Sequence, residues 1–184
     1  MAKKISELAA ATTPLTAADL LAVVQGGVTK RVAAGLIAGL FPVMAKATHS
    51  ANLTISDSVF TDLPCDTTLY EVGGEIHNPA SNNARLTAPV AGWYVCGASV
   101  LYSFNATGRR LLRLMKNGTV ILARDDKQAV TTSGGGTGLG ISSVVRLEAG
   151  DYITAQTYQD RGGDLILTAA AEYSPQIWMA RVAA

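Results

Sequence analysis

Arg110-Leu111-Leu112-Arg113-Leu114-Met115-Lys116, then Asn117-Gly118, then Thr119-Val120-Ile121-Leu122-Ala123-Arg124: this stretch decides the fold. Two apolar runs flank an Asn-Gly pair. Both residues of that pair tolerate the positive φ of a tight turn, so the segment reads as two antiparallel strands of a hairpin. The same pattern repeats on either side. Upstream, Arg85-Leu86-Thr87 is followed by the turn Ala88-Pro89-Val90-Ala91-Gly92 and by a long strand over 93–104, and 57–63 is an earlier strand candidate. Downstream, a Gly-rich loop precedes a strand over 139–147. Ala149-Gly150-Asp151 turns into a strand over 152–158, Arg161-Gly162-Gly163-Asp164 turns into 165–170, and 177–182 closes the chain. About eight short strands with short turns predict an all-β antiparallel jelly roll sandwich, and no helical period of useful length competes.

The strands carry a second message. A sheet with one wet face alternates apolar and polar residues. Here Leu112, Leu114 and Ile121 are assigned to one face of the hairpin, and Met115, Val120 and Leu122 to the other. In the long strand Trp93, Val95 and Leu101 point one way, and Tyr94, Cys96, Val100 and Tyr102 the other. One face packs on the opposing sheet. The other needs a cover that the chain has no helices to supply, so identical subunits are expected to supply it. Tyr94, Tyr102, Met115, Val120 and Leu122 are the expected contact residues between copies.

Composition shifts near residue 45, from Ala-rich and almost free of aromatics to Trp, Tyr, Thr and Val at strand-like spacing. This divides the chain into segment 1–46 and domain 47–184. In the first segment, Thr16-Ala17-Ala18-Asp19 has a capping-box pattern that can start one helical turn. Leu20 to Gln25 and Val28 to Val32 flank Gly26-Gly27 and read as a second hairpin, with Leu21 facing Val32 and Val23 facing Lys30. So small a hairpin is not stable alone and must dock on something.

Composition also excludes. Apolar residues make up 48% and charged residues 16% of the chain, which favours a packed core over disorder. The formal net charge of +1 lacks the basic excess expected of a nucleic-acid binder. The longest apolar run is shorter than the roughly 20 residues of a membrane helix, so no membrane insertion is expected. No signal-peptide pattern is seen, which makes the maker's cytoplasm the expected compartment and free thiols the expected state of Cys65 and Cys96. No P-loop Lys, Gly-x-Ser-x-Gly elbow, metal-spaced cluster or carboxylate pair is found, and His49 and His77 are isolated, so no enzyme activity and no cofactor are expected. Asp125-Asp126 is a calcium candidate at an apex, with solvated loop carboxylates as the plainer reading. Arg109, Arg110 and Arg113 form a small basic cluster that suits an acidic sugar or a capsid carboxylate, with a solvated strand entry as the plainer reading.

Two resemblances sit on these residues. Residues 60–70, then Ala84-Arg85-Leu86-Thr87-Ala88-Pro89-Val90-Ala91-Gly92-Trp93-Tyr94-Val95, resemble the globular head of complement and tumour-necrosis-factor-like proteins. So do Met115-Lys116-Asn117-Gly118 and Val144-Val145-Arg146-Leu147-Glu148-Ala149-Gly150-Asp151. That resemblance implies a ten-stranded jelly roll that assembles as a homotrimer. Lys4-Ile5-Ser6-Glu7-Leu8, Thr12 to Leu15 and Asp19 to Val32 are similar to the N-terminal module of bacteriophage tail-fibre and head-fibre proteins, the end that attaches to the virion. It implies an anchor through Ile5, Leu8, Leu20, Leu21, Val23, Gln25, Gly26, Gly27, Val28, Lys30 and Arg31. Together they imply a short trimeric fibre, spike or decoration. It is made and assembled in the host cytoplasm, and its partners are capsid or tail proteins. A second reading is an adhesin whose knob binds a host-surface glycan or protein. A surface polysaccharide hydrolase ranks last.

Overall fold

The computed structural model describes residues 20–25, 27–33, 42–132, 134–170 and 173–183. The chain divides into two compact units, the second spanning Pro42–Ala184. In the first, β1 (Leu20–Gln25) and β2 (Val28–Ala33) form the expected hairpin. Leu21 lies opposite Val32 and Val23 opposite Lys30, and Gly27 turns the chain at φ +76°. Ile5, Leu8, Gly26 and the Thr16-Ala17-Ala18-Asp19 pattern lie outside the described residues.

The second unit is a sandwich of two antiparallel sheets, and among the described residues there is no helix. Its strands are β3 (Met44–Thr48), β4 (Leu53–Ile55), β5 (Thr61–Asp62), β6 (Thr67–Val72), β7 (Arg85–Thr87) and β8 (Gly92–Tyr102). They continue with β9 (Arg109–Lys116), β10 (Val120–Gln128), β11 (Thr137–Leu147), β12 (Tyr152–Gln159), β13 (Leu165–Leu167) and β14 (Gln176–Ala183). One sheet runs β11-β8-β14-β3-β6, with the short β13-β4 pair continuing it beyond the end of β14. The other runs β10-β9-β12, with β5 and β7 both pairing β12. Some consecutive strands thus lie in different sheets, β8 in one and β9 in the other.

The division at residues 46 and 47 needs correction, because it cuts β3, and the sandwich begins by Pro42. Met44-Ala45-Lys46-Ala47-Thr48 escapes a propensity reading because its inward residues are alanines, which have weak strand preference. Ala45 and Ala47 are fully buried between β14 and β6. β4 and β6 also escape, and the candidate over 57–63 shrinks to the two residues of β5.

The core lies between the sheets. β8 contributes Tyr94, Cys96, Ala98, Val100 and Tyr102, and β9 faces them with Leu112 and Leu114. Leu139, Ile141, Ile153, Ala155, Ile177 and Met179 fill the remaining space. The Tyr hydroxyls are satisfied: Tyr94 Oη donates to the Val90 carbonyl at 2.7 Å, and Tyr102 Oη lies 2.7 Å from Thr157 Oγ1. Cys65 and Cys96 are both free and buried.

Two motifs distant in sequence meet at one end. Asn117 and Gly118 take φ of 50° and 70°, as the hairpin turn requires. Asn117 Nδ2 donates to Asp151 Oδ1 at 2.7 Å, its Oδ1 accepts from Tyr152 N at 2.9 Å, and Lys116 Nζ lies 2.8 Å from Asp151 Oδ2. The Asn-Gly turn is therefore latched onto the Ala149-Gly150-Asp151 turn. Three groups, Asn117, Lys116 and the Glu148 N–H, favour the Asp151 carboxylate and hold its pKa down to about 2.

Candidate functional site

The outward face of the β11-β8-β14-β3-β6 sheet is the main candidate. Strand register places Val144, Val95, Ala180, Met44 and Val72 side by side in one row across all five strands. The adjoining row is Ser142, Gly97, Trp178, Lys46 and Tyr70. Trp93 lies on the same face beside Val95, two residues along β8. Val144 is 60% exposed, and Trp93, Tyr70 and Val72 are each more than 40% exposed. The Trp178 indole packs against Gly97: a Cβ there would fall 2.2 Å from Cζ2. The glycine leaves the room that the large ring needs against β8. A continuous apolar row rimmed by aromatics is the signature of a buried interface.

The expected contact residues need correction. Tyr94 and Tyr102 are fully buried inside the protomer, facing the opposing sheet. Met115 is 4% exposed and lies on the outward side of the other sheet. Val120 is exposed beside the turn, and Leu122 is partly buried at a bulge between Ile121 and Ala123. These five therefore share no face. Alternation fixes which residues go together but not which set points inward, and for β8 the outward set is Trp93, Val95 and Leu101. In the hairpin, Thr119 joins the turn, so Ile121 pairs Met115 rather than Leu114. A one-residue slip moves every side chain to the opposite face.

The charged candidates are absorbed by the fold. Arg110 is fully buried and donates to the carbonyls of Thr107 (3.0 Å), Arg109 (3.0 Å) and Asn105 (3.2 Å), with its guanidinium 5.6 Å from the Tyr102 ring centre. Burial pushes its pKa down, opposed by Tyr102 and Asp160. Arg109 pairs with Asp160 at 3.0 Å and Asp126 at 3.5 Å. Arg113 stacks on Phe60 at 3.6 Å and donates to Gln156 Oε1 at 2.7 Å. The basic cluster is thus a brace rather than a solvated patch. Asp125 and Asp126 lie within β10 and not in an apex loop. Asp125 pairs with Lys127 at 3.3 Å, and Asp126 pairs with Arg124 at 2.6 Å. Among the described residues no group of three metal-ligating side chains occurs. His77 is buried, its ring held by Thr68 Oγ1 at 2.7 Å and the Asn83 carbonyl at 3.1 Å.

Of the anchor residues, Leu20, Leu21, Val23 and Gln25 lie in β1, and Val28, Lys30 and Arg31 in β2. Val28, Lys30 and Arg31 are exposed.

No protein-family model and no curated protein matches the sequence. Solved structures do match the fold. Murine APRIL at pH 5.0 superposes with a TM-score of 0.56 at 13% identity, covering 77% of this chain and 99% of that one. Murine APRIL at pH 8.5 gives 0.55 at 15%, with the same coverage. The Eiger TNF of S. frugiperda gives 0.49 at 15%, covering 78% of this chain and 94% of its own. The sandwich is a tumour-necrosis-factor-like jelly roll. At these identities the likeness defines the fold.

Proposed function

We propose that this chain is a non-enzymatic bacteriophage virion protein: a short homotrimeric spike or decoration anchored by its N-terminal hairpin and projecting the jelly roll as a knob. The observation that carries the reading is the apolar row Val144, Val95, Ala180, Met44 and Val72, open along the whole width of one sheet. Burying a large apolar side chain contributes about 1.5–3 kcal/mol, so a face with several of them favours association. Trimer rather than dimer is the arrangement implied by the resemblance to tumour-necrosis-factor-like heads, and the fold agrees with it. The anchor reading rests on the resemblance to fibre N-termini. It is supported by a hairpin that forms in the expected register in a unit separate from the sandwich.

The test has two arms. Residues 42–184 should sediment as a trimer at micromolar concentration, and Val95→Glu should convert them to a folded monomer. In the phage that encodes the chain, gold-labelled antibody against the jelly roll should decorate virions, and deleting residues 1–41 should abolish incorporation. A wild-type monomer refutes the interface. Truncated protein retained on virions at normal copy number refutes the anchor.

A further inference from the structure

Two adjoining grooves lie where the chain between β6 and β7 meets β12. They measure about 260 and 270 Å³, and Asn82 and Arg85 border both. The first is lined further by Glu75, Asn78 and Ser81, and the second by Asp62, Asn83 and Thr154.

The walls are held before any ligand arrives. The Glu71 carboxylate accepts from the backbone N–H groups of Ile76 and His77 at 2.5 and 2.7 Å. The Asn83 carbonyl accepts from Cys65 N at 3.0 Å and lies 3.1 Å from His77 Nε2. The Asn82 carbonyl accepts from Arg85 N at 3.0 Å. With the backbone committed inward, the side chains of Asp62, Asn82 and Asn83 are left with no hydrogen-bond partner among the described residues. Thr154, 4% exposed and part of the second groove's lining, carries a hydroxyl with no partner among the described residues. Buried hydroxyls are normally paired. Its cross-strand neighbour Arg85 lies with its guanidinium 4.1 Å from the Tyr152 ring centre, on a side chain long enough to swing aside.

The unused groups define the ligand. Arg85 shares one groove with Glu75 and the other with Asp62, so there is no cationic surplus for a phosphate or a nucleic acid. The apolar lining offers no open anchor pocket for a peptide: Ile76 is 2% exposed, and the Tyr152 ring is covered by the Arg85 guanidinium. What remains is amide, carboxylate and hydroxyl, which match the alternating donors and acceptors of vicinal sugar hydroxyls. We propose that this cleft binds a short, uncharged oligosaccharide, one sugar ring in each groove. Asp62 and Thr154 lie in the sheet opposite the Val95 and Trp178 face, so binding is independent of self-association and of the virion assignment.

The test uses the full-length protein on an immobilised array of neutral and acidic oligosaccharides from bacterial, plant and animal surfaces, followed by titration calorimetry with the best neutral trisaccharide. Binding to a neutral glycan is expected. Asn83→Ala and Asp62→Ala should each weaken it at least tenfold at an unchanged melting temperature, while Gln128→Ala, exposed at the far end of β10, leaves affinity unchanged. Absence of any neutral ligand, selective binding of acidic glycans, or unchanged affinity in both cleft variants would overturn the assignment.

Discussion

Replacing Gly97 by alanine should damage this protein far more than a single methyl group suggests. The added Cβ falls 2.2 Å from Trp178 Cζ2, 2.6 Å from Cε2 and 2.7 Å from the Ile141 carbonyl oxygen. Carbon atoms pack at about 3.5–4.0 Å, so the indole must retreat by about 1.3 Å or more. The carbonyl belongs to β11, which pairs with β8 along its whole length, so it yields only if that ladder opens. Overpacking of this kind costs about 1–3 kcal/mol, and a clash with both a ring and a backbone atom belongs at the upper end. At about 2–4 °C per kcal/mol for a domain of this size, 3 kcal/mol lowers the melting temperature by about 6–12 °C. The assay is thermal melting at fixed protein concentration, because the proposed self-association would make the melting point concentration-dependent. Trp178→Ala serves as the second corner of a double-mutant cycle. With the ring gone, Gly97→Ala should cost at least about 1 kcal/mol less. An equal cost in both backgrounds, or no cost in the native one, would refute the account of Gly97 as a seat for Trp178.

The latch between the two turns predicts a pH dependence. The folded pKa of Asp151, about 2, lies below its ordinary 3.8, so its contribution to stability is full above 3.8 and is lost as pH falls through about 2. The melting gap between wild type and Asp151→Asn should accordingly be widest above about pH 5 and close as the pH drops towards 2; a gap independent of pH refutes the latch. Burial pushes the thiols of Cys65 and Cys96 up to about 12. Ellman's reagent should therefore label neither cysteine in the native protein at about pH 8 and both in denaturant without reductant, since the thiolate is the reactive form. Rapid native labelling or a disulfide between them contradicts the buried, reduced state.

Local pattern was enough to mark most of the strands and the turns between them. Asn117, Gly118 and Gly150 take backbone conformations that few residues accept, and the Leu20–Val32 hairpin followed from its turn down to the register. Alternation in β8 separated Trp93, Val95 and Leu101 from Tyr94, Cys96 and Tyr102, because a strand presents its side chains with a period of two whatever surrounds it. Which of those sets faces the core was settled by how the two sheets pack. Both are apolar, so the choice turned on what the opposing sheet brought to each, and the tyrosines found inward partners in Val90 and Thr157. The buried alanines of β3 were hidden for the same reason, since their place between β14 and β6 rests on fit rather than on strand preference. Arg110 read as surface charge until Asn105, Thr107 and Arg109 supplied carbonyls to hold it inside. The polar cleft was the least legible feature. It is assembled from Asp62, the 75–85 segment and Thr154, which no local pattern connects and which only the folding of β5, β7 and β12 into one sheet brings together.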